Sequence, residues 1–187
     1  MLNKLLLLLA DALAMLCWSR LLLQWARLPF PHPLAQFCVH STNWLVKPLR
    51  KIAPPLGRWD SACVLGLVLV YYLACSATSL LGLPEMHISA RMMALNVLLT
   101  VLYALKALAY VLFMGLLLRM VLSLSQQNSP LLPALQRLYT PLTRPFAFLR
   151  FGRIDFSASV LAVVLWLWLS WWLPAILTQL NLLFLQG

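Results

Sequence analysis

Four apolar stretches, Leu2 to Leu28, Ser61 to Leu83, Met92 to Leu124 and Phe156 to Leu185, constrain this chain more than any other feature. Each exceeds the roughly 20 helical residues that cross a hydrocarbon layer about 30 Å thick. Lipid offers the backbone no partners, so only helices and closed barrels span it. These runs are continuously apolar rather than alternating, which selects helices. With 63% hydrophobic residues and 10% charged ones, 187 residues cannot hide this excess in one soluble core. The expected fold class is therefore an all-α membrane protein with four transmembrane helices. The third stretch, about 50 Å long as a straight helix, has to tilt or stand partly outside the bilayer. The opening Met-Leu-Asn-Lys and five leucines imitate a secretory signal, with small-residue sites at Ala10-Asp11-Ala12 and Ala12-Leu13-Ala14. Because the apolar run continues to Leu28, it is read as a retained helix.

The pattern also occurs twice. Arg20, His32-Pro33, Lys47-Pro48 and Gly57-Arg58-Trp59-Asp60 recur as Arg119, Ser129-Pro130, Arg144-Pro145 and Gly152-Arg153-Ile154-Asp155, at offsets of 99, 97 and 95 residues. Two short deletions explain the drift. The chain is thus read as two tandem units, 1–90 and 91–187, each a helix, an interfacial amphipathic helix and a second helix. Equal orientation of the units makes this a parallel repeat about an axis along the membrane normal.

Proline opens both interfacial segments, 33–47 and 130–144, as a first helical turn tolerates. In the first, Gln36, His40, Asn43 and Lys47 form a polar stripe, with Leu34, Phe37, Cys38, Ser41 and Leu45 facing elsewhere. In the second, Leu131, Leu135, Leu138 and Leu142 form the apolar stripe, opposite Gln136, Arg137, Thr140, Thr143 and Arg144. Both helices are expected in the headgroup plane, ended or bent by Pro48 and Pro145. Leu149-Arg150-Phe151-Gly152 is read as a turn, and Pro174 as a kink in the last helix. Trp166, Trp168, Trp171 and Trp172 suit an interface at its outer end.

The formal net charge of +10 is unevenly placed. Lys47, Arg50, Lys51 and Arg58 lie in the first basic segment, and Arg137, Arg144, Arg150 and Arg153 in the second; the link between units carries only Glu85 and Arg91. The positive-inside rule places both basic segments in the cytoplasm and both termini in the periplasm. Cations at membrane edges point to anionic lipid of the cytoplasmic leaflet rather than to nucleic acid. An arginine within a membrane helix needs a partner or a route to the interface. Arg20 with Asp60, and Arg119 with Asp155, make natural pairs within each unit. Asp11 lacks an acidic counterpart in the second unit; three readings stand open, a pair across units with Lys106, a protonated and idle carboxyl, or a proton or cation site.

Cys17, Cys38, Cys63 and Cys75 form no CxxC pair, and His32, His40 and His87 have no ligand spacing, so no disulfide framework, metal or cofactor is expected. Cys38 with His40 is a poor half-site, since Arg137 stands at the repeat position of His40. No Ser-His-Asp arrangement, HExxH, phosphate loop or paired catalytic carboxylates are present, so no enzyme is expected.

The second unit, with Arg119-Met-Val-Leu-Ser, Asn128-Ser129-Pro130, Thr140-Pro141-Leu142-Thr143-Arg144-Pro145 and Gly152-Arg153-Ile154-Asp155, resembles the YggT family of small integral membrane proteins. The first departs more, with Asn43-Trp44-Leu45-Val46-Lys47-Pro48 in place of the Thr-Pro-Leu-x-Arg-Pro run. The resemblance implies a bacterial inner-membrane protein, in a family linked to osmotic tolerance and potassium or ion homeostasis, to cell division, and in plastids to haem attachment. Two functions are therefore expected: a scaffold or assembly factor acting on lipid, membrane-protein partners or a second copy at the cytoplasmic face, or a channel-like or transporter-like role in ion homeostasis.

Overall fold

The computed structural model describes residues 2–27, 32–55, 60–82, 90–124, 131–144, 150–151 and 154–185. A long helix, α1 (Leu2–Trp25), is followed by a shorter one, α2 (Pro33–Leu49), and by α3 (Ser61–Gly82). The same order follows in α4 (Ala90–Leu124), α5 (Leu131–Thr143) and a last helix in three parts: α6 (Phe156–Leu167), a π-helical turn (Trp168–Trp172) and α7 (Leu173–Leu185). Four helical stretches are long and apolar enough to cross a membrane: Leu2–Trp25, Ser61–Leu81, Ala90–Ser123 and Ser157–Leu180. Many large apolar side chains on them face outward, including Leu8, Leu73, Met114 and Val163. Lipid-facing helices require this.

Helices α1, α3 and α4 pack against one another, and α6–α7 lies along α4. Small residues hold the first three close: Ala10, Ala14, Cys17, Ala74, Ala104 and Ala107 form a buried seam with Leu67 and Tyr71. Polar crossings add to it, Trp18 donating to the Ala104 carbonyl at 3.0 Å and Ser79 to Asn96 Oδ1 at 3.0 Å. The end of α1 meets the later turns of α4, since Ala26 shares a core with Leu116, Leu131 and Leu135. The two helices therefore run parallel, bringing α2 and α5 to one end of the bundle. On the other side of α4, Ala158 and Ala162 pack near Leu116, and Leu169 and Leu173 pack on Ala109, so the last helix returns antiparallel.

Helix α2 ends at Leu49, one residue past Pro48, and the Arg50 N–H still reaches the Val46 carbonyl at 3.0 Å. Three findings revise the sequence reading. Arg150–Phe151 pairs antiparallel with Ile154–Asp155, a two-residue ribbon where a plain turn was expected. Pro174 acts through the turn before it: the Leu173 N–H bonds the Trp168 carbonyl, five residues back. A proline has no N–H to give Ser170 and its ring crowds that carbonyl, which the wider turn relieves. The stripe on α5 also shifts. Thr143 is buried, donating to the Tyr139 carbonyl at 3.0 Å, while Leu142 is 38% exposed.

Tyr139 anchors α5. Its hydroxyl donates to the Leu112 carbonyl of α4 at 2.7 Å, and a Cβ on Gly115 would overlap that hydroxyl. Gly115→Ala should therefore cost about 1–3 kcal/mol by overpacking. Tyr139→Phe in that background removes the overlapping oxygen and should recover most of the loss, apart from about 1 kcal/mol for the hydrogen bond. Thermal unfolding in detergent of the two single variants and the double checks this.

Candidate functional site

Helix α2 has three faces. Ala35, Cys38, Thr42, Val46 and Leu49 recur at helical spacing and are buried against the bundle. Gln36, His40 and Lys47 are exposed on a second face, with Asn43 half-buried. Leu34, Phe37 and Trp44 form a third, apolar yet exposed face, Trp44 at 62%. A helix lying in a membrane surface needs one apolar and one polar outer face. The start is set locally: Pro33 occupies the first turn and His32 Nδ1 accepts from the Leu34 N–H at 3.3 Å. Cys38 is buried and His40 exposed, so these two point apart. Burial pushes the Cys38 thiol above its ordinary value, outweighing the nearby Arg20 charge.

The inner face is held by a charged cluster. Arg20, 6% exposed near the end of α1, donates to Thr42 Oγ1 at 2.9 Å and Asn43 Oδ1 at 3.3 Å, both on α2. Its other terminal nitrogen lies 3.7 Å from Oδ2 of Asp60, which is wholly buried just before α3. Arg50 Nη2 reaches the same oxygen at 2.5 Å. One carboxylate and two guanidinium groups thus join α1, the end of α2 and the start of α3. Burial alone would raise the Asp60 carboxyl, but the Arg50 hydrogen bond and the charges of Arg50 and Arg20 outweigh it and hold the carboxyl below its ordinary value.

That direction fixes a pH dependence. Asp60 binds its proton less readily folded than unfolded. Its stabilising contribution is therefore complete above about pH 3.9, the unfolded carboxyl's value, and is lost as pH falls through the lower folded one. The melting temperature in detergent should drop below about pH 4 more steeply in wild type than in Asp60→Asn.

A second cluster lies within the spanning helices. Lys106 Nζ of α4 meets Asp11 Oδ2 of α1 at 2.7 Å, and the Tyr71 hydroxyl of α3 donates to Asp11 Oδ1 at 2.7 Å. Lys106 also sits 5.4 Å from the Tyr103 ring centroid, and Tyr103 stacks on Tyr71.

The structure brings together Arg20 with Asp60 and Asp11 with Lys106. Arg50, placed by the sequence among the lipid- or partner-facing cations, stays 43% exposed and also turns its guanidinium onto the buried Asp60. Lys47, Lys51, Arg137 and Arg144 are exposed. Arg119 is half-buried on α4, but the side chain of Asp155 lies outside the described residues, and so does the pairing expected between them. Arg58, Arg153 and the side chain of Arg150 also lie outside them. Among the described residues, no group of three His, Cys, Asp or Glu could hold a metal. Thr42 and Tyr71 were not singled out by sequence, although each is a polar side chain on an otherwise apolar helical face.

Four spanning helices, with an amphipathic helix clamped to the end of the bundle by buried charges, define a multi-pass helical membrane protein. The family model CCB3/YggT matches residues 1–81. Escherichia coli (strain K12) has a similar protein, "Uncharacterized protein YggT", 32% identical over an alignment of 155 residues that covers 79% of this chain and 76% of the relative. "Uncharacterized protein in proC 3'region" of Vibrio alginolyticus is 34% identical over 156 residues, 82% of this chain and 83% of its own. A Haemophilus influenzae "Uncharacterized protein" is 32% identical over 146 residues, 76% of this chain and 75% of its own. No solved structure matches. The chain belongs to the YggT family.

Proposed function

We propose that this chain is a non-enzymatic scaffold or assembly factor of the bacterial inner membrane, acting at the cytoplasmic face through α2 and α5. The observation that carries this reading is the clamp on α2. Arg20, Asp60 and Arg50 fix its inner face, while Lys47 and Lys51 stay exposed at the same end of the bundle as Arg137 of α5 and Arg144 just after it. A rigidly held basic platform suits anionic lipid, a membrane-protein partner or a second copy. In this reading residues 1–90 and 91–187 are tandem units of one design, both termini are periplasmic, and the net positive charge serves the membrane surface rather than nucleic acid.

Cysteine accessibility in a Cys-free background tests the orientation. Probes at Lys51 and Arg150 should react only from the cytoplasm, and probes at Glu85 and Gln186 only from the periplasm. The reverse pattern overturns the cytoplasmic platform.

One observation favours a second reading, a channel-like role in ion homeostasis and osmotic tolerance. Asp11, Lys106 and Tyr71 place ionisable groups inside the spanning helices, where they are costly and commonly mark ion paths. Their mutual satisfaction supports an interhelical tie instead.

A further inference from the structure

The two cavities at the α2 end of the bundle share a wall. A basic one of about 630 Å³ lies between the end of α1 and α2, lined by Arg20, Gln24, Arg27, Asn43, Lys47 and Arg50. An apolar one of about 330 Å³ is lined by Met15 and Leu22 of α1, Leu34 of α2, Met114 of α4 and Leu135 and Leu138 of α5. Leu23 lines both. Both volumes fall within the roughly 300–1,000 Å³ of ordinary ligand sites.

Charge in the basic cavity is unbalanced. Four cations line it, and the carboxylate that serves them, Asp60, lies fully buried behind Arg20 and Arg50 rather than in the wall. One negative charge against four leaves three positive charges facing the cavity. Arg27, two residues past the end of α1, holds φ at 55°, the left-handed conformation in which helices commonly end, and its N–H bonds the Gln24 carbonyl at 3.1 Å. Here it sets an exposed guanidinium at the cavity, one turn from Gln24.

We infer that this double cavity binds one anionic phospholipid, its phosphate between Arg27 and Lys47 over the Arg20–Asp60–Arg50 cluster and an acyl chain in the slot beyond Leu23. The inference rests on the reading of α2 as a helix in the membrane surface, and it replaces a diffuse basic surface with one built site. Arginine's planar fork matches phosphate oxygens two at a time, and basic pockets between membrane helices are the usual seat of such headgroups. The apolar slot is what separates a lipid from a free phosphate, which would leave it unused.

Native mass spectrometry of the whole protein in detergent, titrated with phosphatidylglycerol and with phosphatidylcholine of the same chains, tests the site. Arg27→Asn with Lys47→Gln removes two lining charges; asparagine tolerates the left-handed backbone, and an unchanged melting temperature verifies the fold. The tightest phosphatidylglycerol should bind about 10- to 30-fold more weakly, at about 1 kcal/mol per surface charge. Lys51→Gln with Arg144→Gln, outside the cavity, should change it less than about threefold, and phosphatidylcholine should bind weakly throughout. Equal losses in the two double variants would overturn the site while leaving the basic platform standing. No loss in either would overturn both. Full displacement of the lipid by inorganic phosphate at millimolar concentration would assign the cavity to a free anion and overturn the lipid.

Discussion

Asp60→Ala should lower stability in detergent by about 3–5 kcal/mol, the cost expected when one partner leaves a buried charge uncompensated. Asp60 is wholly buried and Arg20 is 6% exposed. Arg50, at 43% exposure, can turn to solvent, so most of the loss comes from Arg20. Arg20→Met alone should also destabilise, because Asp60 keeps only Arg50 of its two guanidinium partners and Thr42 and Asn43 lose their donor. Combined, the two substitutions should cost less than the sum of the singles, as interacting residues do. Chemical unfolding of the three variants in one detergent measures this, and strictly additive losses would remove the clamp.

The cluster inside the spanning helices should behave in the same sense with a smaller amplitude. Lys106 and Asp11 keep 21% and 23% of their side chains exposed, so the penalty for breaking the pair is reduced. Lys106→Met should cost about 2 kcal/mol, leaving Asp11 to the Tyr71 hydroxyl. Asp11→Leu together with Lys106→Met should recover part of that loss, since well-packed apolar groups commonly replace a buried ion pair at little cost, the remainder being the buried Tyr71 hydroxyl left without its acceptor. Recovery in the double variant is the signature of an interhelical tie. A double variant as unstable as the single would show that packing, not charge, was lost.

Much of this arrangement was legible in the residues. Continuous apolar runs fixed the four spanning helices, because lipid permits so few alternatives, and the last helix ends where expected at Leu185. Arg20 with Asp60 and Asp11 with Lys106 could be read because a charge in a membrane helix narrows its own choice of partner. That Arg50 would also hold Asp60 was not legible, since a cation at a helix end looks the same in sequence whether or not it turns back on a buried carboxylate. Thr42, Tyr71 and Tyr139 were missed for a related reason: a hydroxyl on an apolar face does not reveal which neighbouring helix it will meet. Pro174 announced a local disturbance but not its form, as a kink and a π turn relieve the same missing N–H.

Ion flux through sealed liposomes holding the purified protein tests the scaffold most directly. Potassium and proton movement at the level of protein-free vesicles, unchanged in Asp11→Leu/Lys106→Met, is the result predicted here. Flux well above that level in wild type, abolished by the same double substitution, would contradict it and make the Asp11–Lys106 cluster part of an ion path.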